Sequence, residues 1–260
     1  GRSLTGLGGI VPSSFAIKFY QPGRQGFGMT GLSSSTNSGL AASTTYYFTI
    51  AVDGGSTKEI SFSTDSSNLN FGGNNGIISK IQNALNTLYY DPTGSNPLFE
   101  KKIKVSILNG DLVLTSGQYL STSAIALTTG ASGSSSTNLI GNAIGRFKAS
   151  VGGVVPAKLP DDVTYDKTTY NTIPNNRFIG HDNGKGLITG ICSGNINYET
   201  GAIDVRGPAN AEFVFTADFG SPFSGRIQSS SATKPNGIVD VYARSLNRKI
   251  NGHITVKAFN

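Results

Sequence analysis

The feature that most constrains this chain is a pair of alternating apolar runs joined by a glycine-containing turn, used three times. IKVSIL and DLVLTS lie either side of Asn109-Gly110-Asp111. Strand side chains alternate between faces, and Asn-Gly suits the left-handed backbone of a tight turn, so the pattern predicts a β-hairpin. Tyr46, Phe48, Ile50 and Val52 repeat the arrangement across Asp53-Gly54-Gly55 from Ile60 and Phe62. Ile196 and Tyr198 do so across Glu199-Thr200-Gly201 from Ile203 and Val205. A chain with this grammar folds into antiparallel sheets.

Other segments extend the pattern. Phe15, Ile17 and Phe19 alternate in SFAIKFY, which is followed by the turn-rich QPGRQGFG, read as a loop. GLITGI, AEFVFTADF, NGIVDVYARSL and GHITVKAF supply further strand candidates. One segment breaks the rule: Ile77, Ile78, Ile81, Leu85 and Leu88 recur at helical spacing behind an Asn-rich cap, predicting a helix of about three turns.

The expected fold class is mainly β (α+β), a β-sandwich or partly closed barrel core with an inserted β-β-α-β-β module. Residues 1–28 form an arm and the first strand of the core, 29–141 the module, and 142–260 the β-rich core. SSSTNSG and ASGSSSTN read as flexible linkers opening and closing the module. Within it the helix is expected to cover one face of a single small sheet. The stretch AKLPDDVTYDKTTYNTIPNN reads as a loop.

Composition excludes more than it selects. Only 14% of residues are charged, while aromatic residues reach 9%, the reverse of a disordered polar chain. The net charge of +6 is scattered, with Arg244, Arg248 and Lys249 as its densest run, so it does not point to nucleic acid. The single Cys192, within the apolar LITGICSG, excludes an intrachain disulfide framework and reads as a buried thiol. No charged-then-apolar leader pattern and no run of membrane-spanning length is present, so no membrane partner is expected. The first residue is Gly1 rather than Met, which fits proteolytic trimming or removal of a leading tag.

Catalytic chemistry is poorly represented. His181 lies beside Asp182 in GHDNGKG, without a nucleophile elbow, and His253 sits at a strand mouth. VDGGSTKE and HDNGKG lack the spacing of a calcium loop, and GKGLITG lacks the ending of a phosphate loop. Asp161-Asp162 and Glu199 with Asp204 are acidic pairs that a glycosidase could use, but the chain has no tryptophan to stack a sugar. No catalytic residue, metal ligand or cofactor is assigned.

A resemblance enters at the middle module. TYYFTIAVDGGSTKEISFSTDSS, then IISKIQNALN, then VSILNGDLVLTS resemble a small domain of flagellar filament and hook proteins and of tailed-phage virion proteins. INYETGAIDV is similar to a Tyr-x-Thr-Gly-x-Ile run of phage tail, baseplate and head-surface components. The terminal heptads of flagellins are absent, which leaves the phage virion resemblance ahead. It implies a structural protein located in the virion, whose partners are copies of itself and other virion proteins. Chain ends can add strands to a neighbour's sheet, so Gly1, Arg2, Leu4, Leu7, Ile254, Val256 and Phe259 are the expected intersubunit contacts. The alternative is a receptor- or glycan-binding spike using loops Gln21 to Gly28 and His181 to Gly186.

Overall fold

The computed structural model describes residue 10 and residues 12–90, 102–160, 178–199, 201–218, 238–244 and 249–253, the last two segments as backbone only. The protein is mainly β, with one helix among the described residues. It divides into two compact units: Gly1–Gln21 with Leu159–Asn260, and Pro22–Lys158. One unit is therefore interposed in the sequence of the other, with junctions outside both serine-rich stretches.

The first unit is built on one antiparallel sheet that curls into a half-barrel. Its strands are β1 (Ala16–Phe19), β9 (Ile179–Asp182), β10 (Leu187–Gly190), β11 (Ser193–Ile196), β12 (Ala202–Arg206), β13 (Glu212–Asp218), β14 (Ile238–Arg244) and β15 (Lys249–His253). Their order is β14-β13-β1-β9-β10-β11-β12-β15. Strand β1 is interior: Ile17 faces Phe215 on one side and Gly180 on the other. The alternation of SFAIKFY explains its orientation, because Phe15, Ile17 and Phe19 are buried while Ala16 and Lys18 are half-buried. Ring pairs Phe15–Phe215 and Phe19–Phe213, with centroids 6.0 and 5.6 Å apart, join β1 to β13.

Hairpin β11–β12 pairs Ile196 with Ile203 and Gly194 with Val205. Gly201, at φ +72°, closes its turn by donating its N–H to the Asn197 carbonyl at 2.8 Å. Ile196, Ile203 and Val205 are buried, but Tyr198 is only half-buried, because it belongs to the turn. The strand expected in GHITVKAF begins earlier: Lys249–His253 pairs with β12, and Ile254 onward lies outside the described residues.

The second unit contains β2 (Arg24–Gly26), β3 (Thr45–Val52), β4 (Lys58–Ser63), α1 (Ile77–Tyr89), β5 (Lys104–Leu108), β6 (Asp111–Thr115), β7 (Ile125–Thr128) and β8 (Val154–Val155). The expected hairpins β3–β4 and β5–β6 form, but in different sheets, ordered β4-β3-β7 and β5-β6-β2-β8. A single small sheet is thus replaced by two, since β7 and β2 each claim a hairpin edge that the sequence left for the partner hairpin. Helix α1 packs against both, touching β4 and β5. Ile77, Ile81 and Leu85 are its buried stripe. Around it lie Phe27, Phe48, Phe71 and Phe147, with Phe27 edge-on to Phe48 and to Phe147 at 5.4 and 5.3 Å.

Three local expectations need correction. QPGRQGFG is not a loop throughout, because β2 lies between β6 and β8 with Gln25 and Phe27 buried. The asparagines do not cap α1. Its N-cap is Gly76, without a side-chain cap, and its first N–H groups donate to the Asn70 and Phe71 carbonyls at 3.0 Å. SSSTN is not a linker at either occurrence, being tied into the second unit by its own hydroxyls. Ser33 N–H donates to Thr36 Oγ1 and Ser134 N–H to Thr137 Oγ1, both at 2.9 Å. The Thr36 and Thr137 carbonyls then accept from Phe71 and Tyr47 at 3.0 and 2.9 Å. The same pentapeptide makes the same turn twice, each time fastened to an aromatic residue's backbone.

Candidate functional site

Several acidic side chains brace turns instead of gathering at a site. Asp53, at φ +52°, opens the β3–β4 turn with Gly54 at φ +72°. Its carboxylate accepts from Ser116 Oγ at 2.7 Å and from Ala124 N–H at 2.9 Å. Asp111 follows the Asn109-Gly110 turn, whose φ angles of +51° and +76° suit a tight hairpin. It accepts the Gly28 and Met29 N–H groups at 3.1 and 2.8 Å. Glu59 accepts from the Ser132 N–H and hydroxyl at 2.8 and 3.0 Å. Asp65 takes the Ser67 and Asn68 N–H groups, and these donors hold its carboxyl down at about 2.

The strand His181 belongs to, β9, is buried at all four positions. Burial lowers the His181 imidazole below its ordinary value, outweighing the Thr189 backbone and neighbouring Asp182, both of which raise it. The Asp182 carboxylate accepts from Ser13 N–H at 2.6 Å, Gly184 N–H at 2.8 Å and the Tyr198 hydroxyl. Cys192 is buried against Gly180, and burial pushes its thiol up to about 12, far from thiolate chemistry at neutral pH. Glu199 and Asp204 are exposed, one in a turn and one on β12, while Asp161 and Asp162 lie outside the described residues. Among the described residues no three His, Cys, Asp or Glu side chains gather as metal ligands would. No helix of the described residues is long and apolar enough to cross a membrane.

What distinguishes the surface is how sheet edges are treated. In the second unit, Gln82 of α1 lies along edge strand β5, donating to the Ile103 carbonyl at 2.7 Å and accepting Val105 N–H at 3.0 Å. Edge strand β7 gives its Leu127 N–H to Gln25 Oε1 at 2.6 Å, while Gln25 Nε2 donates to the Gly152 carbonyl at 2.7 Å. Side-chain amides thus occupy backbone groups that an added strand would use. In the first unit the outermost strands are β14 and β15, each paired on one side only among the described residues.

The expected intersubunit contacts Gly1, Arg2, Leu4, Leu7, Ile254, Val256 and Phe259 all lie outside the described residues. Ile254 directly follows β15. Asp53 and Asp111 stand in the turns that the sequence marks, and Asp53 and Glu59 bound the VDGGSTKE stretch weighed as a calcium loop, but their bracing partners Ser116, Ala124, Gly28, Met29 and Ser132 are distant in sequence. Comparison with family models, curated proteins and solved structures finds no match to this chain.

Proposed function

We propose that this protein is a structural component of a virus particle, acting by self-assembly or by docking onto the repeated lattice of a phage head or tail. The observation that carries the reading is that the sheet of the first unit ends in β14 and β15, each paired on one side only among the described residues. The second unit covers β5 and β7 with its own amide side chains, although β4 and β8 are also outermost in their sheets. An open antiparallel edge offers unpaired N–H and C=O groups to a neighbour, and many copies of a modest contact add up in a lattice.

The fastened turns support the same reading, because a lattice subunit needs fixed geometry. The resemblance of the hairpin sequences to those of phage virion proteins is what supports a phage particle in this reading. The spike alternative finds less support, since Gln25 and Phe27 of one proposed binding loop, and His181 and Asp182 of the other, are buried.

Deletion of residues 1–9 tests the assignment of the N-terminal segment as an intersubunit arm. The deleted protein is expected to keep its far-ultraviolet circular dichroism and its folded amide spectrum while losing the ability to form particles. Normal particle formation by the deletion would rule that arm out.

A further inference from the structure

The Asp182 carboxylate joins three stretches of chain that are far apart in sequence. It is fully buried, and its two oxygens have different duties. Oδ2 accepts the Ser13 N–H at 2.6 Å, across 169 positions of sequence. Oδ1 accepts the Gly184 N–H at 2.8 Å, within the β9–β10 turn, and the hydroxyl of Tyr198, from the β11–β12 turn. The Tyr198 oxygen in turn accepts the Gly186 N–H at 2.7 Å. Ser13 stands three residues before β1 in a left-handed backbone, φ +67°, that a non-glycine residue adopts only when something holds it. Just after it, the Asp182 N–H donates to the Phe15 carbonyl at 3.0 Å, so the two strands grip each other on both sides of that bend.

We infer that Asp182 is a latch that fixes where the N-terminal segment enters the sheet of the first unit, independently of the turn network on its other oxygen. The inference deepens the assembly reading, because the latch would fix Ser13, the point from which the proposed N-terminal arm is reached. It rests on that reading only for this consequence, and its test is made on the dispersed protein.

Asp182→Asn separates the two duties. An amide supplies one acceptor oxygen and one donor nitrogen. With the oxygen at the Oδ1 position, Gly184 and Tyr198 keep their acceptor, while the NH2 meets the Ser13 N–H, donor against donor. The opposite flip would strand two donors instead of one. Residue-resolved amide exchange by NMR on the full chain reads the result. In Asp182→Asn the Ser13 amide is expected to exchange at least tenfold faster, with Gly184 and Gly186 changed less than twofold. Tyr198→Phe, which leaves the carboxylate in place, is the complementary variant and serves if Asp182→Asn does not fold. There Gly186 is expected to exchange faster while Ser13 stays protected. Unchanged Ser13 exchange in Asp182→Asn, or equal acceleration of Ser13 and Gly186 in either variant, overturns the latch. Loss of particles without these exchange changes would bear on the assembly reading alone.

Discussion

The two units are written in the same hairpin grammar and stabilised differently. In the second, α1 and the two sheets enclose one cluster of buried side chains drawn from Phe27 to Phe147, and a side-chain amide meets one edge of each sheet, β5 and β7. In the first, a single sheet is assembled from both ends of the chain. Strand β1 pairs with β9 and β13, and β12 pairs with β15. The first unit therefore pays a larger loop-closure cost before its long-range pairs form. The difference teaches that hairpins specify local register, while the pairing of hairpins is decided by strands distant in sequence, such as β2 beside β6 and β7 beside β3.

The comparison can be broken most strongly at the aromatic centre of the second unit. Phe27→Ala removes a fully buried ring with two edge-on partners and is expected to cost about 3–5 kcal/mol in urea unfolding. Amides of β3, β6 and α1 should lose protection first. Unchanged protection in β3, β6 and α1 would show that the ring does not hold that cluster together.

In the first unit the equivalent weak point is backbone proximity. A Cβ at Gly194 would lie 2.0 Å from the Asp204 carbonyl oxygen across the β11–β12 pair. Gly194→Ala is expected to cost on the order of 1–3 kcal/mol and to accelerate exchange in β11 and β12. Retained protection there would show that the hairpin absorbs the methyl group without moving.

Edge capping gives a smaller effect. Gln82→Leu strands the Val105 N–H and the Ile103 carbonyl, for an expected loss of roughly 1–3 kcal/mol. The informative reading is association: with β5 uncapped, the variant should form strand-mediated oligomers through the second unit. A stable monomeric variant would deny that the amide protects this edge.

Acidity sharpens the contrast most gently. The folded His181 titrates below its ordinary value of 6.5, so the unfolded chain binds the proton more readily. The stability it affects is complete above about pH 6.5 and falls as the pH drops through that value towards the lower folded one. The loss should register in β9 and its neighbours and be flattened in His181→Gln. A slope equally steep in the variant would assign the effect elsewhere. Asp65, in the second unit, has a folded value of about 2 against 3.8, so its contribution is present above 3.8 and lost only as the pH falls towards 2.

What the sequence made legible was local. Asn109-Gly110 and Asp53-Gly54 each carry their turn angles in two adjacent residues, and the helix repeats its apolar stripe within 13 residues. What escaped depended on distant partners. Strand β7 shows the same alternation in Ile125 and Leu127, yet its place is set by pairing with Ile50 and Val52. SSSTN looks flexible by composition, but Ser38 and Asn138, beside or within its two copies, are buried. Asp182 reads as an ordinary turn residue because its most distant partner, Ser13, is at the other end of the chain.

The central claim is that copies of this chain associate in a regular way through the first unit. Size-exclusion chromatography with light scattering over a wide concentration range, followed by electron microscopy of the fractions, tests it most directly. The account predicts rings, tubes or shells of uniform size that accumulate with concentration. A monomer at every concentration, with no regular particles in any fraction, would contradict self-assembly and leave only docking onto a lattice formed by other proteins.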